Sequence, residues 1–193
     1  MKPAGLAETA GCLAAGAKAF LLRAEALQGF GTDRESFLKC FWGPTLAYPL
    51  YLIAMVQIDP MLSGNGAVPD LGWIAARTIG YVIAWIYWPV LLEVVCDRVG
   101  RPEAWVPLIV ALVWTMLVPM LIQIVLILGV GPGSFLFGAP LLAVQIWMLV
   151  VHGWLLRQYL STNLPLTIAL VLGDFILSRF LHVIEESIAR AAM

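Results

Sequence analysis

Charge is what this sequence has least of. Eleven Lys and Arg and twelve Asp and Glu make up 12% of its 193 residues, about half the share of an ordinary soluble domain. The signs nearly cancel, so there is no basic field for nucleic acid and no acidic tail. Cysteine is scarce as well: Cys12, Cys40 and Cys96 are odd in number, distant in sequence and without a CxxC pair. That excludes a disulfide framework, a metal knuckle and a redox motif, and the three read as small apolar residues. There is no GxSxG, HExxH, Walker A or dinucleotide fingerprint. No internal repeat stands out, so the two-half architecture of many secondary transporters is not expected. Thr9-Ala10-Gly11-Cys12 touches the lipoprotein cleavage pattern, but Glu8 interrupts the region and few apolar residues precede it. Without a cleavable signal, the first crossing itself is expected to direct insertion.

What is present is apolar. Hydrophobic residues make up 62% of the chain, with a mean hydropathy of +0.93. The long runs are unbroken, whereas the strands of a membrane barrel alternate apolar and polar. The expectation is an all-α polytopic membrane bundle. At about 20 residues per crossing plus connectors, roughly five transmembrane helices fill the length, and the lipid bilayer is their first partner. The periodicity divides the chain into an N-terminal amphipathic helix over 1–31 and a transmembrane domain over 32–193.

In the N-terminal segment, Leu6, Leu13, Ala17, Phe20, Leu21, Ala24 and Leu27 recur at helical spacing, while Glu8, Lys18, Arg23, Glu25 and Gln28 take the other faces. This helix is too polar to span; it fits the lipid headgroup region, the bundle or a partner protein. Gly31 ends it, and Thr32-Asp33-Arg34-Glu35 has capping-box spacing. The five crossings are then expected over about 37–57, 71–96, 104–128, 135–156 and 164–184. Pro44 and Pro49 predict a kink in the first. The second carries Arg77 and Glu93, and its small residues Ala76, Gly80 and Ala84 would let another helix approach closely. The third has Gln123 as its one strongly polar side chain, which suits lipid contact. The tight Gly131-Pro132-Gly133-Ser134 turn makes the third and fourth antiparallel neighbours. The fourth holds Gln145 and His152, and the fifth Asp174, Arg179 and His182.

Orientation follows from basic residues. Lys2, Lys18, Arg23, Arg34 and Lys39 precede or begin the first crossing, and Arg98, Arg101 and Arg157 fall in the second-third and fourth-fifth links. The positive-inside rule gives an inner-membrane protein with its N-terminus in the cytoplasm and its C-terminus outside. Trp73, Trp85, Trp88, Trp105, Tyr81, Tyr87 and Tyr159 could form interfacial belts or pack inside.

Asp174 carries the most information. A carboxylate about ten residues into an apolar helix costs roughly 2.5 to 3.5 kcal/mol near the bilayer centre, so it needs a partner or a proton. Arg77 and Arg179 are the candidate partners. The cluster could serve a proton or ion relay or a polar substrate, or it could be a buried pair that fixes helix register. His152 and His182 lie toward opposite ends of antiparallel crossings, so no metal site and no cofactor is expected. Glu185-Glu186-Ser187-Ile188-Ala189-Arg190 matches the EExxxR pattern of intramembrane CAAX-type proteases, but the further histidines of such a site are missing. A solvated helix end is the plainer reading.

The run Phe41-Trp42-Gly43-Pro44 and Ala47-Tyr48-Pro49-Leu50-Tyr51 opens the first of five closely spaced crossings. In that layout the chain resembles small alphaproteobacterial five-helix inner-membrane proteins, which are distantly similar to the Ypt-interacting-protein (Yip) superfamily. The Asp-Leu-Tyr-Gly-Pro signature of eukaryotic members is missing, with Trp42-Gly43-Pro44 matching its end. The resemblance implies a non-enzymatic role in membrane organisation or partner binding and brings no catalytic residue with it.

The leading expectation is therefore a non-enzymatic scaffold, assembly factor or accessory subunit. It would bind a membrane-protein partner, or form a homo-oligomer, through the N-terminal helix and the Ala76, Gly80 and Ala84 face. The alternative is a small oligomeric transporter or channel subunit with a polar path along Asp174, Arg77 and Gln145.

Overall fold

The structure, a computed structural model, describes residues 5–59, 68–131 and 134–191. Seven α-helices form there: α1 (Leu6–Phe20), α2 (Arg34–Cys40), α3 (Trp42–Ile58), α4 (Leu71–Arg98), α5 (Trp105–Gly129), α6 (Phe135–Leu160) and α7 (Leu164–Ala191). Short 3-10 turns occupy Ala24–Gly29 and Pro102–Ala104. Five segments are long and apolar enough to cross a membrane: Arg34–Ile58, Leu71–Arg98, Pro102–Gly129, Leu136–Leu160 and Leu164–Ile188. This is the build of a multi-pass membrane protein.

Local chemistry sets the helix ends. The first crossing is capped by Asp33 and not by Thr32: its carboxylate accepts the Ser36 N–H at 2.7 Å. That bond holds the Asp33 carboxyl below its usual range. The helical run of the first crossing is interrupted at Phe41, where α2 gives way to α3, and not at Pro44 or Pro49. Pro44 is accommodated in the first turn of α3 and Pro49 within it. Asp70 caps α4 through the Trp73 N–H at 2.7 Å, and Asn163 caps α7 through the Leu166 N–H at 3.0 Å. The last two crossings outrun their expected ends at 156 and 184, because no breaker interrupts either helix there.

The amphipathic segment is not one helix. Leu22 has φ of 59°, in the left-handed region that a branched residue seldom adopts, and α1 stops two residues before it. Nor does α1 stand apart from the crossings. Its face of Ala15, Gly16 and Ala19 is buried against α5, and Trp147 of α6 donates its indole N–H to the Phe20 carbonyl at 2.9 Å. Lys39 of α2 ties Glu8 of α1 at 3.0 Å.

The third crossing was expected to face lipid, but α5 is the centre of the bundle. Over its most apolar 18 residues, 61% are buried, against 11–28% for the other four crossings. Helices α1, α2, α3 and α6 all pack on it. The reason is physical: lipid and protein interior are equally apolar, so lack of charge marks a residue as sheltered from water without saying by what. The expected antiparallel pairing of α5 with α6 is present, while Pro132 and Gly133 of their turn lie outside the described residues, as do 60–67 of the turn between α3 and α4. Helix α4 packs chiefly on α7 and only lightly on α5, except toward its C-terminal end, where Trp88, Leu92 and Cys96 join the main core. A wedge of space therefore opens between the α4/α7 pair and α5.

Gly16 is where α1 and α5 come closest, and a Cβ there would overlap the backbone carbonyl of Trp114. Gly16→Val is expected to destabilise the protein by about 1–3 kcal/mol, an overpacking cost. Gly11→Ala, with nothing within 4 Å of the added methyl, is expected to be neutral or slightly stabilising. Thermal unfolding of both variants in detergent checks the contrast.

Candidate functional site

The wedge is a cavity of about 550 Å³ whose walls come from α3 to α7. Two polar clusters border it, ten residues apart along α4, and each joins helices distant in sequence.

The first is built on Asp174. Tyr87 donates its hydroxyl to Asp174 Oδ1 at 2.5 Å. His152 Nδ1 stands 3.1 Å from Asp174 Oδ2. The other ring nitrogen, Nε2, accepts the indole N–H of Trp88 at 2.9 Å. An accepting Nε2 leaves Nδ1 as the protonated nitrogen, so Trp88 fixes the tautomer whose N–H stands on the Asp174 side. Ser178, one turn after Asp174, lies 2.6 Å from the Tyr87 hydroxyl and donates to the Asp174 backbone carbonyl at 2.8 Å. Tyr87 and Trp88 are adjacent on α4 and so point to different neighbours, Tyr87 to α7 and Trp88 to α6.

The second cluster is built on Arg77, which is buried. One guanidinium nitrogen bonds Glu185 Oε1 at 2.9 Å and another Asp59 Oδ2 at 3.4 Å. Trp73 donates its indole N–H to the same Asp59 oxygen at 2.9 Å, and its ring lies 5.6 Å from the guanidinium. His182 flanks Glu185 at 3.8 Å and Glu186 at 3.3 Å. Gly80 makes room for this, because a Cβ there would overlap the Glu185 carboxyl carbon.

These contacts revise the expected pairings. Asp174 is met by Tyr87, Ser178 and His152, and neither Arg77 nor Arg179 is its partner. Arg77 instead ties the end of α3 to α7. Arg179 is exposed, reaching Gln145 at 3.3 Å and lying 5.3 Å from the Phe175 ring. Glu185, expected at a solvated helix end, is mostly buried against Arg77. On the small-residue stripe, Ala76 is buried with Trp73 against Leu52, Met55 and Val56 of α3, Gly80 faces Glu185 of α7, and Ala84 lines the cavity. His152 and His182 both line the cavity but make separate contacts. Among the described residues no three His, Cys, Asp or Glu side chains converge as metal ligands. Trp73, Tyr81 and Trp88 are buried inside the bundle.

The aromatic residues make a continuous wall. Tyr51 and Tyr81 have ring centroids 4.6 Å apart, and Trp85 follows 6.2 Å from Tyr81. Tyr81 is fixed by donating its hydroxyl to the Pro44 carbonyl at 2.7 Å. The cavity thus has an aromatic side on α3 and α4 and a carboxylate side on α7. Comparison with protein families, curated proteins and solved structures found no match.

Removing one partner from a buried ion pair leaves a charge uncompensated, at a cost of about 3–5 kcal/mol. Arg77→Met is expected to lower thermal stability by that order, and adding Glu185→Gln to it should recover part of the loss. Thermal unfolding of the single and double variants in the same detergent checks both.

Proposed function

We propose that the chain is a small transporter or channel subunit whose solute path runs through the cavity between the α4/α7 pair and α5. One observation carries this reading. Four ionisable groups of the crossings converge: Asp174, His152, Glu185 and His182 line one cavity. Arg77, Asp59 and Glu185 draw the structure together toward one end of that cavity, and Trp88, bonded to His152, does so toward the other. Ionisable groups inside a membrane cluster where a substrate or ion must pass. The scaffold reading has less to stand on, because both surfaces proposed for it are used within the chain. Helix α5 covers the small-residue face of α1, and on the α4 stripe α3 covers Ala76 and α7 meets Gly80. No catalytic step is assigned to any residue. The basic residues of the N-terminal segment and of two links support a cytoplasmic N-terminus in a bacterial inner membrane, with the Asp59 end of the bundle outward.

The test uses cysteines introduced into a chain whose own three are replaced by alanine. Ala84→Cys and Met120→Cys line the cavity, whereas Ile176 is 66% exposed on the outer surface of α7. A water-soluble, membrane-impermeant methanethiosulfonate reagent is expected to modify the two cavity positions in membrane vesicles and to leave Ile176→Cys unreacted. Cavity cysteines no more reactive than Ile176→Cys would remove the path.

Arg179 favours a second reading, a partner on the outer face of α6 and α7. An exposed guanidinium near the middle of a crossing costs roughly 2.5 to 3.5 kcal/mol against lipid, and Gln145 is a neutral companion. A second copy or a larger assembly covering that face would relieve the cost. Arg179→Leu is then expected to shift the protein to a smaller species in size-exclusion chromatography with light scattering; an unchanged mass would count against such an assembly.

A further inference from the structure

The cavity's charge and walls select a class of solute. Asp174 accepts the hydroxyl of Tyr87, and His152 Nδ1 lies 3.1 Å from its other oxygen. Neither brings a positive charge, since Trp88 holds the acceptor nitrogen of His152 and so fixes that ring as a neutral donor. Among the described residues no Lys or Arg pairs with Asp174: Arg77 is committed to Asp59 and Glu185, and Arg179 turns to Gln145. The cavity therefore offers one carboxylate with no counter-ion beside an apolar, aromatic interior. Tyr51, Tyr81 and Trp85 line one side in tilted and edge-on contact, and Tyr87 stands next to the carboxylate. Ring faces attract cations, and do so more strongly where water is excluded. A volume of about 550 Å³ lies within the range that holds a small organic molecule. An anion would meet Asp174 without compensation, and a small hydrated metal ion would find too few oxygen ligands for its shell.

We propose that the cavity binds a monovalent organic cation with an apolar body, its charge balanced by Asp174 and its body held by the aromatic wall. This rests on the transport reading above and names its substrate class. The full chain in nanodiscs of zwitterionic lipid can be tested with radiolabelled tetraphenylphosphonium, an apolar monovalent cation, counting binding in excess of protein-free discs. Saturable binding is expected, absent for the anion tetraphenylborate of similar shape. Asp174→Asn is expected to weaken the affinity at least tenfold, Asp174→Glu, which restores the charge, to bind more tightly than Asp174→Asn, and Glu93→Gln, outside the cavity, to stay within about threefold of the parent. Equal excess binding of cation and anion, undiminished binding by Asp174→Asn, or no saturable binding of the cation would each overturn the proposal. The charge comparison uses the unmodified chain, so it decides even if a variant fails to fold. If the cavity cysteines react with the water-soluble reagent but the cation does not bind, the substrate class is wrong and the path stands. If neither result appears, both readings fall.

Discussion

Everything in this bundle depends on how closely backbones can approach α5. Between helices in lipid there is no hydrophobic driving force, because a side chain gains nothing by leaving acyl chains for another helix. What remains is dispersion, which needs contact, and contact needs small residues. Gly16 brings α1 against the Trp114 carbonyl, and Gly43 brings α3 against the Leu117 and Trp114 side chains. With α1, α2, α3 and α6 gathered on it, α5 becomes a column whose side chains can all be apolar. The polar residues are then displaced to the side where packing is loose, between α4, α7 and the column. Cavity and polar clusters share this cause: α4 and α7 are held by specific polar bonds at two levels and by little apolar contact with α5 in between.

The polar bonds also set the register of α4 against α7. Ten residues separate Arg77 from Tyr87, and eleven separate Asp174 from Glu185, the match an antiparallel helix pair gives. Gly80 fits the same register by leaving space for the Glu185 carboxyl group. A slip of one turn would leave Arg77 and Asp174 without these partners. Such bonds contribute modestly to stability, but they discriminate strongly between one alignment and the next.

Run length and turn chemistry made the number of crossings legible, and the ends set by Gly, Asp and Asn agree to within a few residues except where no breaker was present. The identity of the central helix was not legible, since an apolar face reads alike toward lipid and toward protein. The positions of interest were partly visible: Asp174, Arg77, Arg179, Gln145 and His152 stand out as polar residues in apolar runs, and four of them meet another of the five, while Arg77 pairs with Asp59 and Glu185. Their pairings were not visible, because pairing depends on helix rotation and depth, which a charge count does not contain. Glu185 was missed because it sits in a polar string near the end of α7. Trp88 was read as packing or belt, and nothing in its neighbourhood announced that its N–H would choose the tautomer of His152.

The docking of α1 on α5 also bears on the order in which the molecule can be assembled. Gly16 is made well before its partner, because the Trp114 carbonyl it rests against is synthesised roughly 100 residues later. At about 5–20 residues per second, that is an interval of about 5–20 s. During it α1 has no receptor, and its small-residue face stays with lipid or chaperone until the third crossing is in place. Helix α1 is thus made before α5 and seated only after it, so maturation of the fold is timed by the insertion of α5.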